Sequence, residues 1–234
     1  MTIRVIIFAC DRGEMLLDTL RHLNRFDSID SILVLDDASK FRNTEHKKLV
    51  TEYRRNKTRE GKFGFFRQWQ RAMEYCRQYP ADLVIFMPDD FERLDIGKII
   101  QLHCAIVGGT GETRLSNQPY AFNIINDGRT TCWTPLQLNR RSVGGISVNA
   151  VGFVDCGFFC NPQALARIVW NIEKIPDKWF DHPGKSSGVG WQLSRKFFNG
   201  KVTMFQPIRS LAYHGDHQSL MHPNERKKNP LISR

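Results

Sequence analysis

Three short apolar runs in the first ninety residues each end at aspartate, and this pattern constrains the fold more than any other feature. The runs cover residues 3–10, 31–35 and 82–87. Nearly continuous runs of this length are typical of strands buried on both faces of a parallel sheet. Because ligands of open α/β sheets bind beyond the carboxyl ends of the strands, we expect the acids there to face one cleft. These acids are Asp11, Asp36, Asp37, Asp89 and Asp90.

Helical patterns separate the three runs. Apolar residues at helical spacing predict amphipathic helices near 14–23 and 65–78, and the charged stretch 44–55 is predicted to be a helix between them. Alternating strands and helices indicate an α/β fold with a mixed, mainly parallel central sheet in a single Rossmann-like domain. Beyond residue 140, the pattern predicts one strand ending near Cys160, helices from Pro162 and Trp191, and a last strand over 201–205.

Composition excludes several classes of protein. The chain has 234 residues, of which 41% are hydrophobic and 11% aromatic, so it is not disordered. No apolar run approaches the ~20 residues that span a bilayer, and we expect no stable membrane insertion. The first residues show no signal-peptide pattern, and six cysteines are too few for a disulfide scaffold of this length. We therefore expect reduced thiols and a cytoplasmic location.

Positive charge is concentrated in one stretch. The net charge is +10, and residues 40–75 carry eleven Lys and Arg against four Glu. Such a surface suits nucleic acid, an anionic membrane or a phosphate-rich ligand, although a solvated helix face has the same composition. An aspartate after a strand likewise has a structural alternative, because it often forms a turn or caps the next helix. For Asp36 and Asp37 that alternative stays open.

The order of a strand, Asp36-Asp37-Ala38-Ser39, a helix and a strand ending in Asp89-Asp90 resembles the nucleotide-sugar glycosyltransferases of the GT-A fold. Ala38 stands where that family often has glycine. The resemblance implies that Asp36 and Asp37 lie near the base and ribose of a UDP-sugar donor. It also implies that the exit of the first strand lines the nucleotide pocket, through Ala9, Asp11 and Arg12.

The resemblance further implies a Mn²⁺ or Mg²⁺ ion. The metal motif of the family is usually Asp-x-Asp, whereas this chain has Asp89-Asp90-Phe91-Glu92. Either Asp90 alone binds the ion while Asp89 is oriented towards the sugar, or Asp90 and Glu92 share it. A late histidine often completes the metal shell in this fold, and His214 is the candidate. Arg67 is, with Arg12, a candidate for contacts to the diphosphate.

The acceptor side departs from the family pattern. Inverting members place a carboxylate just before the helix that precedes the last strand, but residues 186–192 contain no acid. Asp155 is one acid that can substitute in space as the base, and it joins Asp89 as a catalytic candidate. If no acid does so, the enzyme retains the anomeric configuration, and the sequence favours retention.

A small basic glycosyltransferase resembles the bacteriophage enzymes that glucosylate hydroxymethylated DNA bases, which act in the host cytoplasm. We therefore predict transfer of a hexose, with glucose favoured, to a hydroxymethylated or already glucosylated base of double-stranded DNA. Residues 1–110 then form the nucleotide-sugar half, 111–212 the acceptor half and 213–234 a basic tail with histidines. One alternative is an acceptor that is a lipid-linked or surface polysaccharide. Another is a metal-dependent nuclease or phosphoesterase. The sequence predicts no oligomeric state.

Overall fold

A computed structural model describes residues 1–41, 44–108, 118–126, 140–155, 157–168, 171–174 and 188–214. The first elements in chain order are β1 (Ile3–Ala9), α1 (Gly13–Leu23), β2 (Ser31–Asp36), α2 (Glu45–Lys48), β3 (Glu52–Arg55), α3 (Gly61–Gln78), β4 (Leu83–Pro88), β5 (Phe91–Glu92) and α4 (Ile96–Gly108). They are followed by β6 (Tyr120–Asn123), β7 (Arg140–Val143), β8 (Ile146–Ala150), β9 (Phe158–Cys160), α5 (Pro162–Arg167), α6 (Val189–Asn199), β10 (Thr203–Pro207) and β11 (Tyr213–His214).

The main sheet has nine strands in the order β3-β2-β1-β4-β9-β6-β10-β8-β7. Neighbours from β3 to β4 run parallel, as do β6 and β10, whereas β9 is antiparallel to both β4 and β6. Strands from residues 1–110 and from 111–212 thus share one sheet. The predicted α/β fold with a mixed central sheet is confirmed.

The predicted helix over 44–55 is wrong. This stretch contains the short helix α2 and then β3, which pairs in parallel with β2 from Leu33↔Glu52 onwards. An edge strand tolerates charged residues because it has a neighbour on one side only. The Tyr53 hydroxyl also donates to Asp36 Oδ2 at 2.8 Å, which anchors the strand to its neighbour.

The predicted single strand ending at Cys160 is also wrong. β8 pairs with β10 and β7, whereas β9 inserts between β4 and β6. Residues 151–155, between β8 and β9, belong to no strand, and the side chain of Asn123 from β6 binds Phe153 O and Asp155 N. By contrast, the helix predicted from Pro162 begins there, and the side chain of Asn161 caps it by accepting from Ala164 N.

Helices cover both faces of the sheet. Side chains of α1 and α4 pack on one face, and side chains of α3, α5 and α6 pack on the other. On the face covered by α3, α5 and α6, the fully buried Trp69 stacks on Phe158 at a centroid distance of 5.7 Å and also contacts Phe8. Among the helices described, none is long and apolar enough to cross a bilayer.

Candidate active site

Two carboxylates and one guanidinium meet where β1 and β4 end. Asp89 N donates to Phe8 O at 3.0 Å, and Cys10 N donates to Asp89 Oδ2 at 2.8 Å. Arg12 Nη1 lies 3.3 Å from Asp89 Oδ1 and 2.5 Å from Asp90 Oδ2. Both aspartates are buried. The residues Arg12, Asp89 and Asp90 are called the carboxylate cluster below, and one cleft shared by all five predicted acids stays a prediction.

Burial governs the protonation of the carboxylate cluster. Burial is the main reason why the pKa of the Asp89 carboxyl is raised to about 7; the charge of Arg12 opposes this rise and the charge of Asp90 adds to it. Two acids and one arginine leave the cluster one negative charge in excess when both carboxyls are ionised. A second cation bound beside them would favour the ionised form of Asp89.

Asp36 and Asp37 shape loops of the chain. Asp36 Oδ1 accepts from Ser39 N at 2.9 Å and from the Ser39 hydroxyl at 2.5 Å, which closes a tight turn after β2. Asp37 accepts from Asn56 Nδ2 at 2.8 Å and from the backbone N–H groups of Glu60 and Gly61 at 2.8 and 2.6 Å. These contacts are those of aspartates that form turns and bind nearby backbone N–H groups, which was the structural alternative for this pair. A role of Asp36 and Asp37 at the nucleotide stays a prediction.

The other predicted nucleotide-binding residues divide into two groups. Ala9 ends β1 in register with Asp36, and Asp11 accepts from Lys40 N at 2.6 Å and from Arg59 Nη1, so both border the same edge of the sheet. Arg67 instead pairs with Glu60, at 2.8 Å from Nε to Oε1, at the start of α3. The Arg67 guanidinium is therefore paired with the nearby Glu60 carboxylate, and its contact to a diphosphate stays a prediction.

Two of the predicted metal ligands, Glu92 and His214, lie on the two strands of a small second sheet. β5 and β11 are antiparallel, with Glu92 opposite Tyr213 and Phe91 opposite His214. The main chain of His214 therefore lies beside the residue that follows Asp90, while its side chain falls outside the described part. No group of three or more His, Cys, Asp or Glu side chains in that part is placed to hold a metal ion. Carboxylates with one imidazole are nevertheless donors that Mn²⁺ binds, so the chemistry of the predicted set fits.

Asp155 lies on a segment that Asn123 and Ser194 hold in place. Asn123 Oδ1 accepts from Asp155 N at 2.9 Å, and Asn123 Nδ2 donates to Phe153 O at the same distance. The Ser194 hydroxyl accepts from Val154 N at 2.9 Å. Sequence reasoning missed Asn123, although an amide in the otherwise apolar stretch of β6 was a usable signal, because buried polar groups require partners.

Glycines bring this segment close to two parts of the site. A Cβ on Gly190, at the start of α6, would lie 3.5 Å from Asp155 Oδ1. A Cβ on Gly157 would lie 2.3 Å from a ring carbon of Phe91, the residue after Asp90. The Asp155 carboxylate is therefore adjacent to Gly190, which belongs to the stretch that lacks an acid. Gly157, two residues further on, packs against Phe91 beside the carboxylate cluster.

Solved structures of nucleotide-sugar glycosyltransferases with the GT-A fold are similar to this chain and confirm the predicted fold. One is glucosyl-3-phosphoglycerate synthase from Mycobacterium tuberculosis in complex with Mn²⁺ and UDP-glucose, at 13% identity and a TM-score of 0.51 over 92% of this chain and 72% of that one. Another is S. aureus TarS, at 11% identity and 0.51 over 90% of this chain and 37% of that one. A mycobacterial protein matches at 14% identity and 0.54, over 92% of this chain and 68% of that one. No protein-family model matches the chain, and no curated protein sequence does.

Proposed function

We propose that this protein is a metal-dependent glycosyltransferase that takes a hexose, with glucose favoured, from a UDP-sugar. The observation that carries the proposal is the carboxylate cluster at the ends of β1 and β4. It lies in a fold shared with an enzyme that was solved with Mn²⁺ and UDP-glucose. Two buried carboxylates beside one arginine, one of them with a raised pKa, are an arrangement that is common at functional sites.

Asp90, with Glu92 and His214, would hold the ion in this proposal. When bound, Mn²⁺ or Mg²⁺ neutralises charge on the departing nucleoside diphosphate. Arg12 contacts both carboxylates and would add positive charge beside the departing diphosphate. Asp89, oriented by Cys10 N, accepts from hydroxyl groups of the donor.

Asp155 is the acid we propose on the acceptor side. Retention of the anomeric configuration, favoured by the sequence, stays a prediction that rests on the missing acid in residues 186–192. The position of the Asp155 carboxylate beside Gly190 supports the alternative, in which Asp155 takes the proton of the acceptor hydroxyl and the configuration inverts. The two routes give opposite anomers of the product, and NMR of the transferred sugar distinguishes them.

We propose a hydroxymethylated or already glucosylated base in double-stranded DNA as the acceptor. The support is the basic stretch 40–75, because contacts to phosphates dominate the affinity of proteins for DNA. A base inside a duplex must also be extruded before its hydroxyl can react. The same charge would suit a lipid-linked acceptor at an anionic membrane, so the acceptor must be tested directly.

The test is transfer of radiolabelled glucose from UDP-glucose with Mn²⁺ to matched duplexes. We expect label on a duplex that contains hydroxymethylcytosine and none on the same duplex with cytosine. Lipid-linked sugar acceptors are assayed in parallel, and label there instead would overturn the DNA assignment. Cleavage of either duplex without any sugar transfer would support the metal-dependent nuclease and overturn the glycosyltransferase.

A further inference from the structure

A basic cavity lies at the outer edge of the sheet, between β3 and α3. Its volume is about 390 Å³, and Leu35 of β2 forms part of its wall. The polar side chains that line it are Arg54, Arg55, Asn56, Lys57, Gln68 and Arg71, so none of the lining residues is acidic. The acids Asp89 and Asp90 do not line it, which makes it a site apart from the carboxylate cluster.

Gln68 supplies an unsatisfied donor to this cavity. Its side chain is 3% exposed, and Nε2 has no hydrogen-bond partner within the described residues. A buried N–H group without an acceptor carries a desolvation cost, which a ligand oxygen in the cavity would remove. Gln68, two turns into α3, thus carries a hydrogen-bond donor for which the described residues offer no acceptor.

The cations around Gln68 retain donors for a ligand. Arg54 pairs with Glu52, and Arg71 pairs with Glu60 and donates to Asn56 Oδ1. Each guanidinium has five N–H groups, so these contacts leave donors in both. Lys57 is exposed and has no ion-pair partner in the described ranges. A ligand that matches such a wall is rich in acceptors and negatively charged.

We propose that this cavity binds a phosphate group. Phosphate offers several acceptor oxygens to arginine and amide donors at once, and arginine binds it through two parallel hydrogen bonds. The cavity is linked to the predicted nucleotide-binding residues by one hydrogen bond, in which Asn56 Nδ2 donates to Asp37 Oδ1 at 2.8 Å. The phosphate belongs either to a free phosphate ester or to a DNA backbone, and the second source rests on the proposed DNA acceptor.

The first test is a titration with inorganic phosphate at constant ionic strength, followed by calorimetry and by the melting temperature. We expect phosphate to bind at millimolar concentration and to raise the melting temperature, whereas chloride does not. Lys57→Ala and Gln68→Met, which removes the buried donor at similar volume, should each weaken binding at least threefold. Arg25→Ala, an exposed arginine just beyond α1, is the matched control and should bind as the wild type does. Absence of phosphate binding, or unchanged affinity in Lys57→Ala, would overturn the proposal even if Gln68→Met failed to fold.

The second test separates the two sources by fluorescence anisotropy of a labelled duplex over a range of salt concentrations. If the phosphate is that of DNA, Lys57→Ala lowers the affinity and reduces the slope of log K against log salt by about one. Phosphate binding with unchanged DNA affinity supports the site and assigns it to a free phosphate ester. UDP-glucose binding is measured on the same variants. If they bind UDP-glucose but the wild type does not bind phosphate in the cavity, the cavity proposal fails while the proposed glycosyltransferase stands.

Discussion

Oδ1 of Asp155 lies 3.5 Å from the position that a Cβ of Gly190 would occupy, so a carboxylate borders a stretch of sequence that contains none. If Asp155 takes the acceptor proton, Asp155→Asn should lower kcat for sugar transfer by about 10²–10⁴-fold. Binding of UDP-glucose should stay within twofold, because the substitution leaves the carboxylate cluster intact. Steady-state transfer and calorimetry measure the two effects. Full transfer activity in Asp155→Asn would contradict the general-base role and favour retention.

Gly157 is required by the close approach of its backbone to Phe91. A Cβ there would stand 2.3 Å from the ring, so Gly157→Ala should destabilise the protein by about 1–3 kcal/mol. It should also weaken UDP-glucose binding, because Phe91 follows Asp90. Gly145→Ala is not suitable because of its positive φ, so Gly108→Ala is the matched control: no atom of the described residues lies within 4 Å of its added methyl group. Chemical denaturation measures the free energy of unfolding of both variants. Equal values would show that the backbone at residue 157 moves away from Phe91 without loss of stability.

Ala38 adopts a left-handed backbone with φ of 52° in the turn that Asp36 closes. Glycine takes this conformation without steric cost, so Ala38→Gly should stabilise the protein by about 1 kcal/mol. The matched control is Ala72→Gly in the interior of α3, which should destabilise by about 1 kcal/mol or more. Thermal and urea denaturation report both changes. A loss of stability in Ala38→Gly would mean that the methyl group contributes more by packing than it costs in strain.

His103 gives the stability of the protein a pH dependence that is independent of the site. Its Nδ1 lies 2.6 Å from the hydroxyl of the buried Tyr120, and burial lowers the pKa of the imidazole. The folded state therefore resists protonation, whereas the unfolded chain takes up a proton below about pH 6.5. Stability should accordingly fall as the pH falls below that value, by up to about 1.4 kcal/mol per pH unit. Urea denaturation at pH 7.5 and 5.0 should show a smaller difference for His103→Gln, and an equal difference would exclude His103 as the cause.

The strands that carry the site were predictable because their residues are buried on both faces. β1, β2 and β4 are nearly continuous apolar runs that lie side by side and parallel, so the acids after them fall at the same edge of the sheet. The N-cap Asn161 and the helix after it follow from local chemistry. All of these features depend on residues that are neighbours in sequence.

Features that depend on distant partners were not predictable. The charged sequence of β3 lacks the apolar alternation that would indicate a strand, and only its pairing with β2 makes it one. The contact of Cys10 N with Asp89 spans 79 residues, and that of Asn123 with Asp155 spans 32. The motif around Asp36 also does not reveal its structural role. This role comes from four contacts, to Ser39, Tyr53 and Arg55.

The most direct test of the proposed function is the melting temperature with and without UDP-glucose and Mn²⁺. A ligand at 100-fold excess over its Kd stabilises the folded state by about 2.7 kcal/mol, which corresponds to a rise of roughly 5–10 °C for a chain of this size. We expect this rise in the wild type and in Asp18→Ala, an exposed acid of α1. Each variant is compared with its own melting temperature without ligand, and Asp90→Ala should show no rise. The proposal is contradicted if UDP-glucose with Mn²⁺ leaves the wild-type melting temperature unchanged, or if Asp90→Ala responds as strongly as the wild type.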